Sequence, residues 1–215
     1  MTFTAGVVGH TARRQQAEAL AERIGAWLSL DDGTLGCEGN HRRVLAHLAE
    51  VDADHVVVLE DDAQPVEDFH TQVAAALDAA PAPVISFYLG TGYPLRWQGA
   101  IRRALQRADH QDAAWITSTR LLHAVGYAIR DGLIGDLLDH MPPLPIDEAI
   151  TAWCKTRGHQ VAYTVPSLVD HADHDTVITR RAPRRRPRRA HRTGTRTNWN
   201  SQTTTLDHQC QTSAS

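Results

Sequence analysis

The chain of 215 residues has very little cysteine, a single lysine and no long apolar run. Its three cysteines (Cys37, Cys154 and Cys210) are odd in number and lack the spacing of a metal knuckle. That argues against a disulfide framework and predicts reduced thiols in a cytoplasmic chain. No stretch approaches the roughly 20 apolar residues that cross a bilayer. Residues 1–11 lack the basic start and apolar run of a secretory signal. A Gly-x-x-x-x-Gly-Lys segment is missing, which argues against a P-loop phosphoryl-transfer enzyme. No internal repeat is visible. Because Lys155 is the only lysine, positive charge is carried almost entirely by arginine.

The formal net charge of −3 conceals two unlike parts. Residues 180–215 hold nine arginines and one acid, Asp207, whereas residues 1–179 hold 13 basic side chains and 24 acids. With 42% hydrophobic residues, the acidic part can fill one core. We expect a folded domain over 1–179 and a disordered Arg-rich tail over 180–215, where Arg, Pro, Ser, Thr and Gln leave little to pack.

Patterning along 1–179 alternates strand and helix. Short β-leaning runs occur at Thr2 to Val8, Ala26 to Leu30, His55 to Leu59, Val84 to Leu89, Ala114 to Thr117, Ala124 to Ile129 and Val161 to Val165. Helical spacing predicts helices after Thr11, over 40–49, 66–80, 101–107, 133–140 and 146–157. Alternation of this kind argues an α/β fold with an N-terminal parallel sheet. The unbroken apolar run Val56-Val57-Val58-Leu59 predicts a strand buried on both faces.

That strand ends in Glu60-Asp61-Asp62. Ligands of open parallel sheets bind beyond the carboxyl ends of the strands. Three adjacent carboxylates repel one another unless a cation or a set of donors neutralises them. Hard oxygen ligands suit Mg²⁺ or Mn²⁺, which keep positions open for phosphates. An exposed turn leading into an acidic helix start, with Pro65 in its first turn, accounts for the same residues.

Leu59-Glu60-Asp61-Asp62-Ala63 resembles the Asp-x-Asp-type motif of GT-A glycosyltransferases, in the form found in the family 25 enzymes of lipopolysaccharide biosynthesis. Further segments follow in that family's order. Ala12-Arg13-Arg14 resembles its "DRR" segment, and Gly36-Cys37-Glu38-Gly39-Asn40-His41 its "GC-x-x-SH", with Asn40 in place of serine. His123 to Ile129 lies near its "G-T-x-A-Y-I-I", and Pro166-Ser167-Leu168-Val169-Asp170-His171 resembles its "P-S-L-V-x-H". The likeness covers residues 3–175, with a short connection between Ala26 and Gly36.

The resemblance implies a GT-A-like (Rossmann-like) mixed sheet with helices on both faces. It also implies a metal-dependent glycosyltransferase that uses a nucleotide sugar, a UDP-sugar first, with inversion at the anomeric carbon. Mn²⁺ or Mg²⁺ would be held by Asp62, by Glu60 directly or through water, and by His171; Asp61 would contact the ribose or sugar. His171 also opens the ligand-rich run His171-Ala172-Asp173-His174-Asp175, which a solvated polar loop explains as well. Arg13 and Arg14 follow the first strand, and their guanidinium forks suit phosphate oxygens; an exposed helix start is the plain alternative. Asp31 and Asp32 would face base or ribose, or simply make a turn. Gly36 and His41 would shape the donor pocket, with Gly36 and Gly39 allowing close backbone approach. Asp147 is the expected general base, although acids at a helix start need no such role. Tyr93 and Trp97 offer faces for an acceptor sugar, while Trp115 reads as core. Cys37 and Cys154 read as structural.

The arginine run from Arg180 to Arg189 would bind polyanions, either nucleic acid or an anionic membrane surface. This motivates a contrasting hypothesis, a non-catalytic nucleic-acid-binding protein that acts through the tail.

Overall fold

The computed structural model describes residues 1–172 and 188–206. The expected cluster members Asp173, His174 and Asp175, the arginines from Arg180 to Arg186, and Cys210 lie outside the described residues.

Among the described residues, ten strands and six helices run in the order β1 (Phe3–His10), α1 (Arg14–Ile24), β2 (Trp27–Asp31), α2 (Gly36–Leu48), β3 (His55–Glu60), β4 (Ala63–Pro65), α3 (Phe69–Ala79), β5 (Val84–Ser86), α4 (Gln98–Gln111), β6 (Trp115–Ser118), β7 (Gly126–Arg130), α5 (Ile134–His140), α6 (Ile146–Arg157), β8 (Val161–Thr164), β9 (Val169–His171) and β10 (Thr203–Thr205). The main sheet has eight strands in the order β10-β6-β8-β5-β7-β3-β1-β2. β2, β1 and β3 are mutually parallel, as the apolar run of β3 predicts. β7 enters antiparallel between β3 and β5, β8 is parallel to β5, and β6 and β10 close the far edge.

Side chains of β3 alternate between two cores. Val56 and Val58 pack with α2, α4, α5 and α6; Val57 and Leu59 pack with α1 and α3 on the other face. This is the expected α/β mixed sheet with helices on both faces. Helix α2 sits very close to β1: a Cβ on Gly6 would stand 2.5 Å from Val44 and 2.9 Å from Leu48, so only glycine fits there.

Several expectations change. α2 begins at Gly36 instead of Asn40, and Gly36 has φ of +72°, a left-handed conformation that favours glycine. The 3-10 turn Thr11–Arg13 precedes α1, and it is the His10 Nδ1, not Thr11, that caps it by accepting from the Ala12 N–H at 3.0 Å. α3 starts at Phe69 because Ala63–Pro65 forms a separate strand.

The expectation of disorder from residue 180 does not hold for 188–206. Thr203–Thr205 pairs in parallel with Trp115–Thr117 as the edge strand β10. Trp199 is buried against Trp115 with ring centroids 5.4 Å apart, and Leu206 is buried as well. Arg192 pairs with Asp109, and Arg196 with Asp112. Composition misses this segment because a few apolar anchors among polar residues are enough to dock a chain onto an open sheet edge. No helix among the described residues is long and apolar enough to cross a membrane.

Candidate active site

The tip of β3 meets the end of β1 and a small second sheet. Asp61 is the first residue past β3; its N–H donates to Val8 O at 3.0 Å. β4 then pairs antiparallel with β9, in the register Ala63↔His171, Gln64↔Asp170 and Pro65↔Val169. The Ala172 N–H donates to Asp62 O at 2.8 Å. This three-residue ladder carries His171 from far along the chain to the acidic tip. His171 Nε2 lies 3.5 Å from Asp62 Oδ2, and both side chains are buried.

Donors as well as burial hold the acids. Arg13 forks across two of them, with NH2 2.7 Å from Asp61 Oδ1 and NH1 2.9 Å from Asp62 Oδ2. Asp61 Oδ2 also accepts from the His10 N–H at 2.9 Å. Burial raises the Asp61 pKa to about 6; Arg13 and the His10 N–H work against this rise, while Asp62 and Glu60 add to it. Asp62 Oδ1 and His171 Nδ1 are buried with no hydrogen-bond partner among the described residues. The oxygen nearest His171 is Oδ2, which Arg13 also holds, so Asp62 Oδ1 is the atom left open to a cation such as Mn²⁺ or Mg²⁺. Desolvation lowers the His171 pKa and so favours the neutral, ligating imidazole.

Glu60 faces another way. Its Oε1 stands 3.5 Å from His41 Nε2. Burial opposes its ionisation, yet His41, His171 and Arg13 outweigh burial and lower its pKa. His41 is fully buried, with Nδ1 3.0 Å from the Tyr127 hydroxyl. Asn40 fastens this turn of α2 to the sheet, donating to Gly9 O at 3.0 Å and Ser29 O at 3.1 Å.

No protein-family model matches the chain, and no curated protein matches it by sequence. Among solved structures it is similar to A197 from STIV at 14% identity, with a TM-score of 0.47 over 80% of this chain and 85% of that one. It is also similar to CMP:2-keto-3-deoxy-manno-octonic acid synthetase complexed with CTP at 11% identity, with a TM-score of 0.42 over 76% and 89%. The fold rests on the strand order and register above.

The remaining expected residues divide sharply. Arg14 pairs with Glu18 at 3.2 Å in solvent and takes no part in the acid cluster. Asp31 accepts the N–H groups of Gly33, Leu35 and Gly36, so it caps the turn into α2. Asp32 likewise accepts from the Thr34 N–H at 3.0 Å. In both cases the turn reading describes what these side chains do. Gly36 and Gly39 lie in the first turn of α2.

Asp147 opens α6 on the wall of a 590 Å³ cleft that Tyr93, Trp97, Arg120, Leu144 and Lys155 also line. Burial raises its pKa to about 6; the Glu148 N–H opposes that rise, and the charge of Glu60 contributes to it. The cleft is therefore within electrostatic reach of the β3 tip. Trp115 is fully buried, as expected of a core residue.

Four participants escape the sequence reading. Tyr88 lies beside His171 with centroids 6.2 Å apart, and His123 packs edge-on to Tyr88 at 5.0 Å. Burial lowers the His123 pKa to about 3, so it stays neutral. Arg188 sends its charge toward His171, His123 and Tyr88. Cys37, expected to be structural, is exposed and stands with His41 and Glu60. Its signal was the i, i+4 spacing to His41, visible only once the helix is known to start at Gly36.

Proposed function

We propose that this chain is a metal-dependent glycosyltransferase that moves a sugar from a nucleotide-sugar donor, a UDP-sugar first, to a hydroxyl acceptor. The observation that carries the reading is the buried juxtaposition of Asp62 and His171 at 3.5 Å, with Asp62 Oδ1 unpartnered among the described residues, at the carboxyl end of a parallel strand. The ordered motifs from Ala12 to His171 that resemble the family 25 enzymes support it further.

In this reading Asp62 and His171 would hold Mn²⁺ or Mg²⁺, while Glu60, expected as a further ligand, turns instead to His41. The ion supplies charge neutralisation for the departing diphosphate. Arg13 keeps both aspartates oriented and offsets their repulsion while the site is empty of substrate. Asp61, fixed by the His10 N–H, faces the ribose or sugar. Asp147 takes the proton of the attacking hydroxyl, and its elevated pKa suits a base near neutral pH. The acceptor lies in the 590 Å³ cleft, where Tyr93 and Trp97 offer aromatic surface to a sugar ring. A single in-line attack by that hydroxyl inverts the anomeric carbon.

The test is donor hydrolysis and binding across a panel of nucleotide sugars, with and without Mn²⁺, in the parent chain and in Asp62→Ala. Metal-stimulated turnover that Asp62→Ala abolishes is expected. Metal-independent behaviour unaffected by the substitution would remove the reading. The nucleic-acid-binding alternative gains nothing from 188–206, where Arg189, Arg192 and Arg196 pair with Asp170, Asp109 and Asp112 of the chain itself.

A further inference from the structure

Cys37 and His41 are four residues apart on α2, so they share one face of the helix. Glu60 approaches that face from the end of β3. One ligand-capable atom from each of the three lies within 4.8 Å of the other two. We infer that Cys37, His41 and Glu60 form a binding site for a thiophilic divalent cation of the Zn²⁺ type, separate from the Asp62–His171 pair.

Three observations carry this. His41 is fully buried, and its Nε2 has no hydrogen-bond partner among the described residues although it faces Glu60 Oε1 at 3.5 Å. A buried imidazole nitrogen left without a partner is costly unless something accepts its lone pair or its proton. Second, His41 Nδ1 is engaged at 3.0 Å by the Tyr127 hydroxyl. Metal-bound histidines are commonly held in this way, with the far nitrogen fixed by an outer partner so that the near one presents its lone pair. Third, the separations fit. Tetrahedral zinc with bonds of roughly 2.0–2.3 Å places neighbouring ligand atoms about 3.3–3.7 Å apart. The observed 3.5 Å between Nε2 and Oε1 falls in that range, and a ligand atom of the exposed Cys37 lies within 4.8 Å of both.

The same geometry disfavours a thiol–imidazole–carboxylate triad. In a triad the imidazole turns one nitrogen to the nucleophile and the other to the carboxylate. Here Nδ1 is occupied by Tyr127, so only Nε2 is left for both thiol and carboxylate, and the three groups converge on one point. Cys37 also sits in the first turn of α2, at the positive end of the helix dipole. That dipole opposes a bare cation, so the thiolate and the carboxylate supply the two negative charges that neutralise a divalent ion. Glu60 is a quarter exposed, which leaves a fourth position for water.

The probe is Co²⁺ added to the full reduced chain, read by the near-ultraviolet thiolate-to-cobalt charge-transfer band. One equivalent should produce the band, and Zn²⁺ should displace it. Cys37→Ser should abolish the band, and Cys210→Ser and Asp62→Ala should leave it. Zn²⁺ affinity should fall at least about tenfold in Cys37→Ser and in Glu60→Gln, the latter keeping the thiol and so covering any folding defect of the former. A missing band, or a band that survives Cys37→Ser, overturns the inference. Because the band is independent of Asp62 and of turnover, its failure is distinguishable from failure of the glycosyltransferase reading.

Discussion

The acidic tip of β3 and the arginine-bearing segment 188–206 are both dense in charge, yet the chain holds them by different means. At the tip, Asp61 and Asp62 are buried and share one guanidinium, and polar atoms of Asp62 and His171 have no partners among the described residues. In the C-terminal segment the ion pairs are largely exposed, and apolar anchors together with a strand do the docking. Like charges gathered in a buried place at a cost to stability point to a ligand. Charges laid in complementary pairs along a surface point to adhesion of the chain to itself. The contrast separates a site from a fastening, although composition makes the two look equally charged.

The strongest test of the fastening is Trp199→Ala. It removes a buried ring that packs on Trp115 and donates to Gln72 Oε1 at 3.0 Å. We expect a loss of about 3–5 kcal/mol in urea unfolding. A loss below about 1 kcal/mol would mean that the segment is not part of the fold.

Asp62→Ala tests the site. Metal-stimulated donor turnover should fall by more than about 100-fold, beyond the range of outer-shell changes around a metal. Stability without metal should rise or stay level, since the substitution relieves repulsion with Asp61 and Glu60 while freeing one arm of Arg13. A large drop in stability instead would make the tip a buried structural ion pair and not a ligand site.

Asp147 sharpens the comparison through pH. Its folded pKa is raised to about 6, above the ordinary value of 3.8, chiefly by burial. The raised value means its contribution to stability is complete below about pH 4 and is lost as pH rises through about 6. Asp147→Asn should therefore flatten that part of the stability profile. As general base, Asp147 must be ionised, so turnover should rise through about pH 6, and Asp147→Asn should erase that limb. A limb that persists in the variant assigns the proton to another group.

The smallest effect belongs to Asp109→Ala. Its pair with Arg192 at 2.6 Å is exposed on both sides, and such pairs contribute between 0 and about 1 kcal/mol. A change above about 1 kcal/mol would show that ion pairs, and not Trp199 and β10, fasten the segment.

Much of the fold is legible in local pattern. The apolar run of β3 specifies a doubly covered strand, and the spacing in 146–157 gives α6 to the residue. β4 and β9 are not legible, because they are too short to show a period and exist only through their pairing. The start of α2 is hidden for a different reason. Gly36 and Gly39 read as loop, while the cap that starts the helix comes from Asp31, five residues before Gly36. In 188–206 the abundance of arginine outweighs Trp199 and Leu206 in any composition average, yet these two are what the body of the protein grips.

By itself the sequence determined the alternation of strand and helix, the burial of β3 and the presence of three carboxylates at its end, because periodicity and hydrophobic burial act over neighbouring residues. Tertiary structure alone decided which partner each carboxylate meets. Asp61 and Asp62 turn to Arg13 and His171, whereas Glu60 turns to His41 and Cys37. Successive side chains leaving a strand end point in different directions, and what waits there is brought by strands and helices distant in the chain.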